Sequence, residues 1–411
     1  DYIVAENGAV LHRTANRQSE ILGQAPPEIL LQELRRRQVA PIAVGSSIIS
    51  TSATHLDSAR EALRKLQLHL DYEVVTNDEA LLILPPGIDK ASGVNAALRE
   101  LGVSRHNLVA IGNAENDLPL LASAEHAVVV NNAAESIKQA ADRVTEGSFC
   151  DGFLELARDL IATDLAASVP RRRVILGKGE DDSEIALSPC QDSVLIAGSD
   201  ETARTLVCNR LLDQLMQQDY QCCVIGADRA APAASPRGAF ASMSSWGDAH
   251  EAPRLTDVLA ALEAPTHSIE INLAALPPET RPVFVDALLL QMQALHDRTG
   301  RPHCILIHHA HRFLTGHLAA SAIRRLSEVS MVYSTAEADQ LPAAVLNDVK
   351  LTITAGMAPA MSLGDAPEPS GAPGDSQAVI AGGAVCRISL LRPSVGSTSV
   401  TSTDEATVSG Y

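Results

Sequence analysis

Val109 to Leu121 reads VAIGNAENDLPLL: an apolar strand, a loop of amide and carboxylate side chains, then a helix with Pro119 in its first turn. A parallel α/β sheet places its ligand beyond the C-terminal ends of its strands, which is where Asn113, Glu115, Asn116 and Asp117 fall. Oxygen donors there suit Mg²⁺, an ion that takes a few carboxylates together with phosphate and water. Upstream, LPPGIDKASG (Leu84 to Gly93) opens a helix at Lys90. A helix N-terminus already attracts anions, so an ammonium group beside it can hold a phosphoryl group. Taken singly, each stretch needs no ligand: Lys90 can begin a helix and Asn116 and Asp117 can start the next. Their order and spacing together argue for a site.

Working outward, helix (Val94, Leu98 and Leu101 on one face), strand (Asn107 to Gly112), helix, strand (Ala127 to Val130) and helix follow in turn to Asp164. Residues 1–11, DYIVAENGAVL, read as a strand entering a loop at Asn7-Gly8. Residues 13–83 mix helices (Pro27 to Arg37, Leu56 to Leu68) with short strands (Ile42 to Val44, Tyr72 to Val75, Ala80 to Leu84). The pattern is a parallel α/β unit interrupted by a smaller α+β module.

Those segments resemble the haloacid dehalogenase (HAD) superfamily, in particular its Cof-like phosphatases. Lys90 matches the family's motif lysine, and Gly112 to Asp117 match G-D-x-x-N-D. ENGA (Glu6 to Ala9) is similar to the segment by which those enzymes leave the core for their cap. The resemblance implies a Rossmannoid core (1–12 and 84–164) with an inserted cap (13–83), and a Mg²⁺-dependent phosphatase acting on a phosphorylated small molecule such as a sugar phosphate. It implies Lys90, Asn116 and Asp117 as catalytic residues and positions 113 and 117 as the metal site. Two departures follow. Asn113 replaces the metal-binding aspartate, which weakens the Mg²⁺ site. The D-x-D-x-T motif bearing the nucleophile occurs nowhere in the 411 residues, and an aspartyl-phosphate cannot form without that nucleophile. A chain that begins at Asp1 in mid-domain suggests that upstream sequence is missing.

A second constellation is LIAGSDETARTLV (Leu195 to Val207), a strand opening at Gly198 into a helical pattern. Aligned on the phosphate loop G-x-x-x-x-G-K-[ST], it offers Gly198, Arg204 and Thr205, but Ala203 and Arg204 stand where glycine and lysine belong. A methyl group crowds the approach of backbone N–H groups to phosphate, and Asp200 and Glu201 add negative charge. The segment 174–356 resembles HerA- and FtsK-like P-loop (RecA-like) ATPases of the kind fused behind Cof-like HAD domains. Where that family has an acidic D-P-E-G-D and a D-E-A-H, this chain has Gly226 to Arg229 and His308-His309-Ala310-His311, and Thr335 falls at the sensor position. ATP binding and hydrolysis are therefore not expected. A metal site from His303, Cys304, His308, His309 and His311 is disfavoured because adjacent strand residues such as His308 and His309 face opposite ways.

Hydrophobic residues make up 46% and aromatics 3%, so the core is built from Ala, Val, Leu and Ile, as parallel sheets require. A net charge of −18 argues against a nucleic-acid surface and against a DNA-translocating motor. Cys150, Cys190, Cys208, Cys222, Cys223, Cys304 and Cys386 form no C-x-x-C pair, which fits a reduced, cytoplasmic protein, and no apolar run is long enough to span a bilayer. Residues 165–173, with Arg171 to Arg173, read as a linker, and 357–411 as a low-complexity tail with a strand at Ala384 to Leu390. The alternative to a phosphatase is an inactive pseudoenzyme that binds a ligand or scaffolds a partner.

Overall fold

The computed structural model describes residues 1–77, 79–163, 172–178, 184–189, 193–227, 243–264, 267–315, 326, 329–355 and 378–380. The expected strand at Ala384 to Leu390, Asp228-Arg229 and most of the linker and tail lie outside them.

The chain opens with an antiparallel meander, β1 (Tyr2–Ala5), β2 (Val10–Arg13) and β3 (Gln18–Ile21), with the turn Glu6–Gly8 between the first two strands. Residues 1–11, expected as a single strand entering a loop, hold β1, the turn and the start of β2, and the antiparallel pairing continues through a second hairpin to Ile21. Next come α1 (Glu28–Arg36), β4 (Ala43–Val44), β5 (Ile49–Ser52), α2 (Leu56–Lys65), β6 (Glu73–Asn77) and β7 (Ala80–Leu84). They form a four-stranded antiparallel sheet, order β4-β5-β7-β6. Leu30, Leu31 and Leu34 of α1 and Ala59, Ala62 and Leu63 of α2 recur at helical spacing and bury against Ile49, Leu81 and Ile83 of that sheet.

The chain then returns through α3 (Lys90–Leu101), β8 (Val109–Gly112), α4 (Leu118–Ser123), β9 (His126–Val129), α5 (Glu135–Lys138), β10 (Arg143–Val144) and α6 (Phe149–Thr163). The three strands pair in parallel in the order β10-β9-β8. Among the described residues β8 is an edge strand, with Gly112 at its C-terminal end.

The second half contains β11 (Val174–Lys178), β12 (Glu184–Leu187), β13 (Val194–Ala197), α7 (Glu201–Gln217), β14 (Cys222–Gly226), β15 (Ser244–Trp246), α8 (Leu255–Glu263), β16 (Ile269–Asn272) and α9 (Arg281–Thr299). It ends with β17 (Cys304–His308), β18 (Ser330–Thr335), α10 (Ala343–Leu346), β19 (Leu351–Ala355) and β20 (Ala378–Ile380). Eight strands form one sheet, order β15-β16-β14-β17-β18-β13-β19-β20, parallel except at β20. Its inner strands are buried on both faces, which is why they read as unbroken apolar runs rather than alternations. Helix α8 was not foreseen. Both halves are therefore α/β with parallel strands, and β13, which ends at the Gly198 loop, lies inside the sheet.

Candidate functional sites

Three segments distant in sequence meet at the N-terminus of α3. Asp89 caps the helix: its carboxylate accepts from the Ser92 N–H at 2.7 Å, and the Ser92 hydroxyl accepts from the Asp89 N–H at 3.0 Å. Lys90 follows as the first helical residue, with its side chain one-third exposed. A cation in that place is opposed by the helix dipole, so it needs an anion nearby. Asp117 supplies one, its Oδ1 accepting from Lys90 Nζ. Asp117 Oδ2 accepts from the Asn113 N–H at 2.8 Å and the Ala114 N–H at 3.1 Å, so the buried carboxylate fixes the loop as well. A Cβ on Gly112 would stand 2.6 Å from that of Asp117, which explains a glycine at the end of β8.

Asn116 is buried too; its Nδ2 donates to Asn7 Oδ1 at 3.3 Å, and its Oδ1 has no hydrogen-bond partner. Glu6 and Asn7 both take left-handed backbone angles, with φ of 51° and 54°. The turn they form brings the Glu6 carboxylate under the loop before β5, where it accepts from the N–H groups of Ser46 at 2.9 Å and Ser47 at 3.0 Å. Glu6, Asn7 and Asp89 were not foreseen as site residues. Their partners lie up to 109 residues away, and only the Asn-Gly pair marked the turn in the sequence.

Lys90, Asn116 and Asp117 are therefore brought together. Asn113 contributes its backbone N–H while its side chain is exposed. For a divalent cation the donor set is one carboxylate, Asp117, and the amide oxygens of Asn113 and Asn116, the latter buried and unpartnered. Glu115 is exposed and accepts from the Ser136 hydroxyl at 3.3 Å. Among the described residues no group of three His, Cys, Asp or Glu side chains is placed to hold a metal. An ion seated here would meet that one carboxylate, whose oxygens already accept from Lys90 and two backbone N–H groups, and would need phosphate and water to complete its shell.

Residues 2–155 match the family described as haloacid dehalogenase-like hydrolase. The phosphoglycolate phosphatase of Methanothermobacter thermautotrophicus is 32% identical over 163 residues, covering 38% of this chain and 71% of that protein. The chain belongs to the haloacid dehalogenase-like hydrolases. The phosphoglycolate phosphatase of Haloarcula marismortui is 30% identical over 159 residues, 37% of this chain and 70% of that protein. Among solved structures, a haloacid dehalogenase-like hydrolase from Bacteroides thetaiotaomicron aligns with a TM-score of 0.35 at 20% identity, covering 39% of this chain and 76% of that one. The hydrolase part is the half that carries Lys90 and Asp117.

The second candidate site lies outside the matched residues, at the C-terminal end of β13. Gly198 has φ of 144°, and a Cβ there would stand 1.8 Å from the Ala355 carbonyl oxygen. Asp200 caps α7 by accepting from the Ala203 N–H at 3.0 Å. Arg204 is buried, and its guanidinium donates to the Gly198 carbonyl and, among the described residues, to no carboxylate. Its Nε has no acceptor. Thr205 is half-buried, and no hydrogen bond of its side chain is seen among the described residues. The loop is thus tied down by its own arginine.

Beyond β17, His309 is in the left-handed region at φ of 51°, with its Nε2 3.6 Å from Glu201 Oε1. His311 Nδ1 and Thr335 Oγ1 are hydrogen bonded at 2.7 Å. His308 lies in the core with Nε2 unpartnered, and burial, then the neighbouring charges of His309 and Arg204, pushes its imidazole down to about 4 from 6.5. The folded protein therefore keeps His308 neutral where the unfolded chain would protonate it. The associated stability is present above pH 6.5 and is lost as the pH falls towards 4. Between pH 8 and pH 5 this histidine alone should cost about 2 kcal/mol, and the buried His303, also held below its ordinary value first by burial, acts in the same direction. Urea titrations at the two pH values check this, and His308→Gln should flatten the difference. An unchanged slope in that variant would refute the assignment.

Proposed function

We propose that the first half of the chain is a phosphate-monoester site of the haloacid dehalogenase type, taking small phosphorylated molecules of the phosphoglycolate or sugar-phosphate class. The observation that carries the proposal is the Lys90–Asp117 pair at the N-terminus of a 12-residue helix. An ammonium group and the first free N–H groups of α3 converge there, where fold stability alone would favour an acidic residue. Lys90 holds the phosphoryl oxygens. Asp117 orients Lys90 and keeps the 113–117 loop folded around the site. Asn116 offers its free Oδ1 to a metal-bound water or a substrate hydroxyl. Mg²⁺, when bound beside Asp117, supplies charge neutralisation of the phosphoryl group.

No D-x-D-x-T nucleophile stands in these 411 residues, so by themselves they would bind and orient a phosphate ester without forming an aspartyl-phosphate. 2-Phosphoglycolate with Mg²⁺ should bind, as read by calorimetry, and Lys90→Ala should weaken binding at least tenfold, about 1.4 kcal/mol. Phosphate release should stay at the level of the Lys90→Ala control. Asn113→Asp should tighten Mg²⁺ binding, since charged oxygen ligands dominate that ion's affinity. Failure of 2-phosphoglycolate to bind removes the site; turnover that Lys90→Ala abolishes removes the claim of inactivity.

For residues 174–356 the reading is a P-loop ATPase-type domain that has lost its chemistry. It is supported by a glycine loop at the C-terminal end of an inner parallel strand, a 17-residue helix after it, and Arg204 tied to that loop.

A further inference from the structure

The two halves meet along a polar seam. The Ser104 N–H donates to the Thr299 carbonyl at 2.8 Å, Ser104 Oγ and His303 Nε2 are 2.8 Å apart, and Tyr220 donates to Glu125 at 2.8 Å. Inside the seam is a cavity of 540 Å³, within the range of small-molecule sites. The helices whose N-termini carry the two candidate sites both line it: α3 along one side from Ser92 and Asn95 to Arg99 and Gly102, and α7 at its C-terminal end through Met216 and Asp219. An occupant would touch both halves at once.

Arg301 decides the chemistry of that occupant. It lines the cavity at 3% exposure, and no carboxylate lies within ion-pair distance of it among the described residues. Its Nη2 donates to the carbonyls of Gly102 at 2.9 Å and Glu263 at 3.3 Å, while its Nε has no acceptor. Burial alone lowers the guanidinium from its ordinary value. A buried charge without a counter-charge is costly, and an anion in the cavity would relieve it. Arg105 cannot be that cation's rival for a ligand, because it is already paired with Asp219 at 2.6 Å. Arg99 also lines the cavity, exposed and without an ion pair among the described residues. Two free cations thus face the space in a chain whose net charge is −18.

Opposite in character, Gln221 holds its amide group by donating to the carbonyls of Leu262, Ala264 and His267, which leaves a buried Oε1 with no donor. Leu98, Val103, Met216 and Tyr220 supply apolar wall. We propose that this cavity is a binding site for a small organic anion with a carboxylate or phosphoryl head, an apolar body and a hydroxyl or amino donor. The site is separate from the Lys90 site and stands whether or not that one binds phosphate esters.

The test follows the ε-methyl resonance of Met216 in protein labelled at methionine methyl groups, titrated with 3-phenyllactate and, separately, phenylphosphonate. A saturable shift with a dissociation constant of about 1 mM or below is expected for at least one of them, and the tighter one identifies the head group. Lys90→Ala should leave that shift unchanged, which separates the cavity from the phosphate-ester site. Arg301→Gln and Arg99→Glu should each weaken binding about tenfold or more, as loss of a charge-assisted contact demands. Arg99 is exposed, so Arg99→Glu decides the matter if Arg301→Gln does not fold. No saturable shift with either probe, or undiminished affinity in Arg99→Glu, would overturn the proposal.

Discussion

Gly8→Ala is expected to lower the unfolding free energy by about 4 kcal/mol, the sum of a strained backbone and an overpacked contact. Gly8 has φ of 104°, and a Cβ there would stand 1.8 Å from the carbonyl oxygen and 2.5 Å from the carbonyl carbon of Asp89. Neither atom can yield cheaply, because Asp89 is the cap of α3 and Gly93, in the next turn, packs its own Cα region against Gly8. A shift of Asp89 moves Lys90 with it, so 2-phosphoglycolate binding should fall along with stability. Gly87→Ala is the control. Gly87 also has positive φ, at 75°, but nothing lies within 4 Å of its Cβ position, so the cost should be about 1 kcal/mol of left-handed strain. Urea denaturation of the two variants separates these contributions. Equal losses would mean that the Glu6–Gly8 turn does not seat on α3 as described.

The contrast between those glycines shows what a sequence can and cannot reveal. The meeting of Lys90 with the 113–117 loop was legible in the order and spacing of the two segments, since either alone reads as an ordinary helix start. Strand β13 was legible as an uninterrupted apolar run, Val194 to Ala197, leading into Gly198. Strand β5 was not: Ile49-Ser-Thr-Ser52 has one large apolar residue, and its pairing with β4 and β7 makes it a strand. Helix α8 follows an Ala-, Ser- and Pro-rich stretch that reads as irregular, and burial of Val258 and Leu262 against the sheet selects the helix. The cavity between the halves was invisible for a simpler reason. Ser104 and His303, which meet there, are 199 residues apart, and nothing local marks Arg301 as unpaired. Long-range packing turns an ordinary arginine into a buried charge.

Arg204 carries the second large effect. ATP should not raise the melting temperature of the unmodified chain, whereas a ligand present at a hundred times its dissociation constant would add about 2.7 kcal/mol. Arg204 already occupies the Gly198 carbonyl, and Ala203 carries a methyl group where backbone must approach phosphate. Asp200 caps α7 through the Ala203 N–H, so one of the few N–H groups that could cradle phosphate is spoken for by a carboxylate. Ala203→Gly with Arg204→Lys removes the methyl group and replaces a planar fork, fastened to the loop, by a compact ammonium free to meet phosphate. That double variant should bind ATP with a measurable shift in melting temperature. Hydrolysis should remain absent, because His308 is neutral in the core and neither it nor His309 can place Mg²⁺ or activate water as carboxylates do. Adding His308→Asp and His309→Glu tests that last step, at some risk to the core, since His308 is only 8% exposed. ATP hydrolysis by the unmodified chain that Arg204→Ala abolishes would reverse the argument and make the arginine and the histidines a working catalytic set.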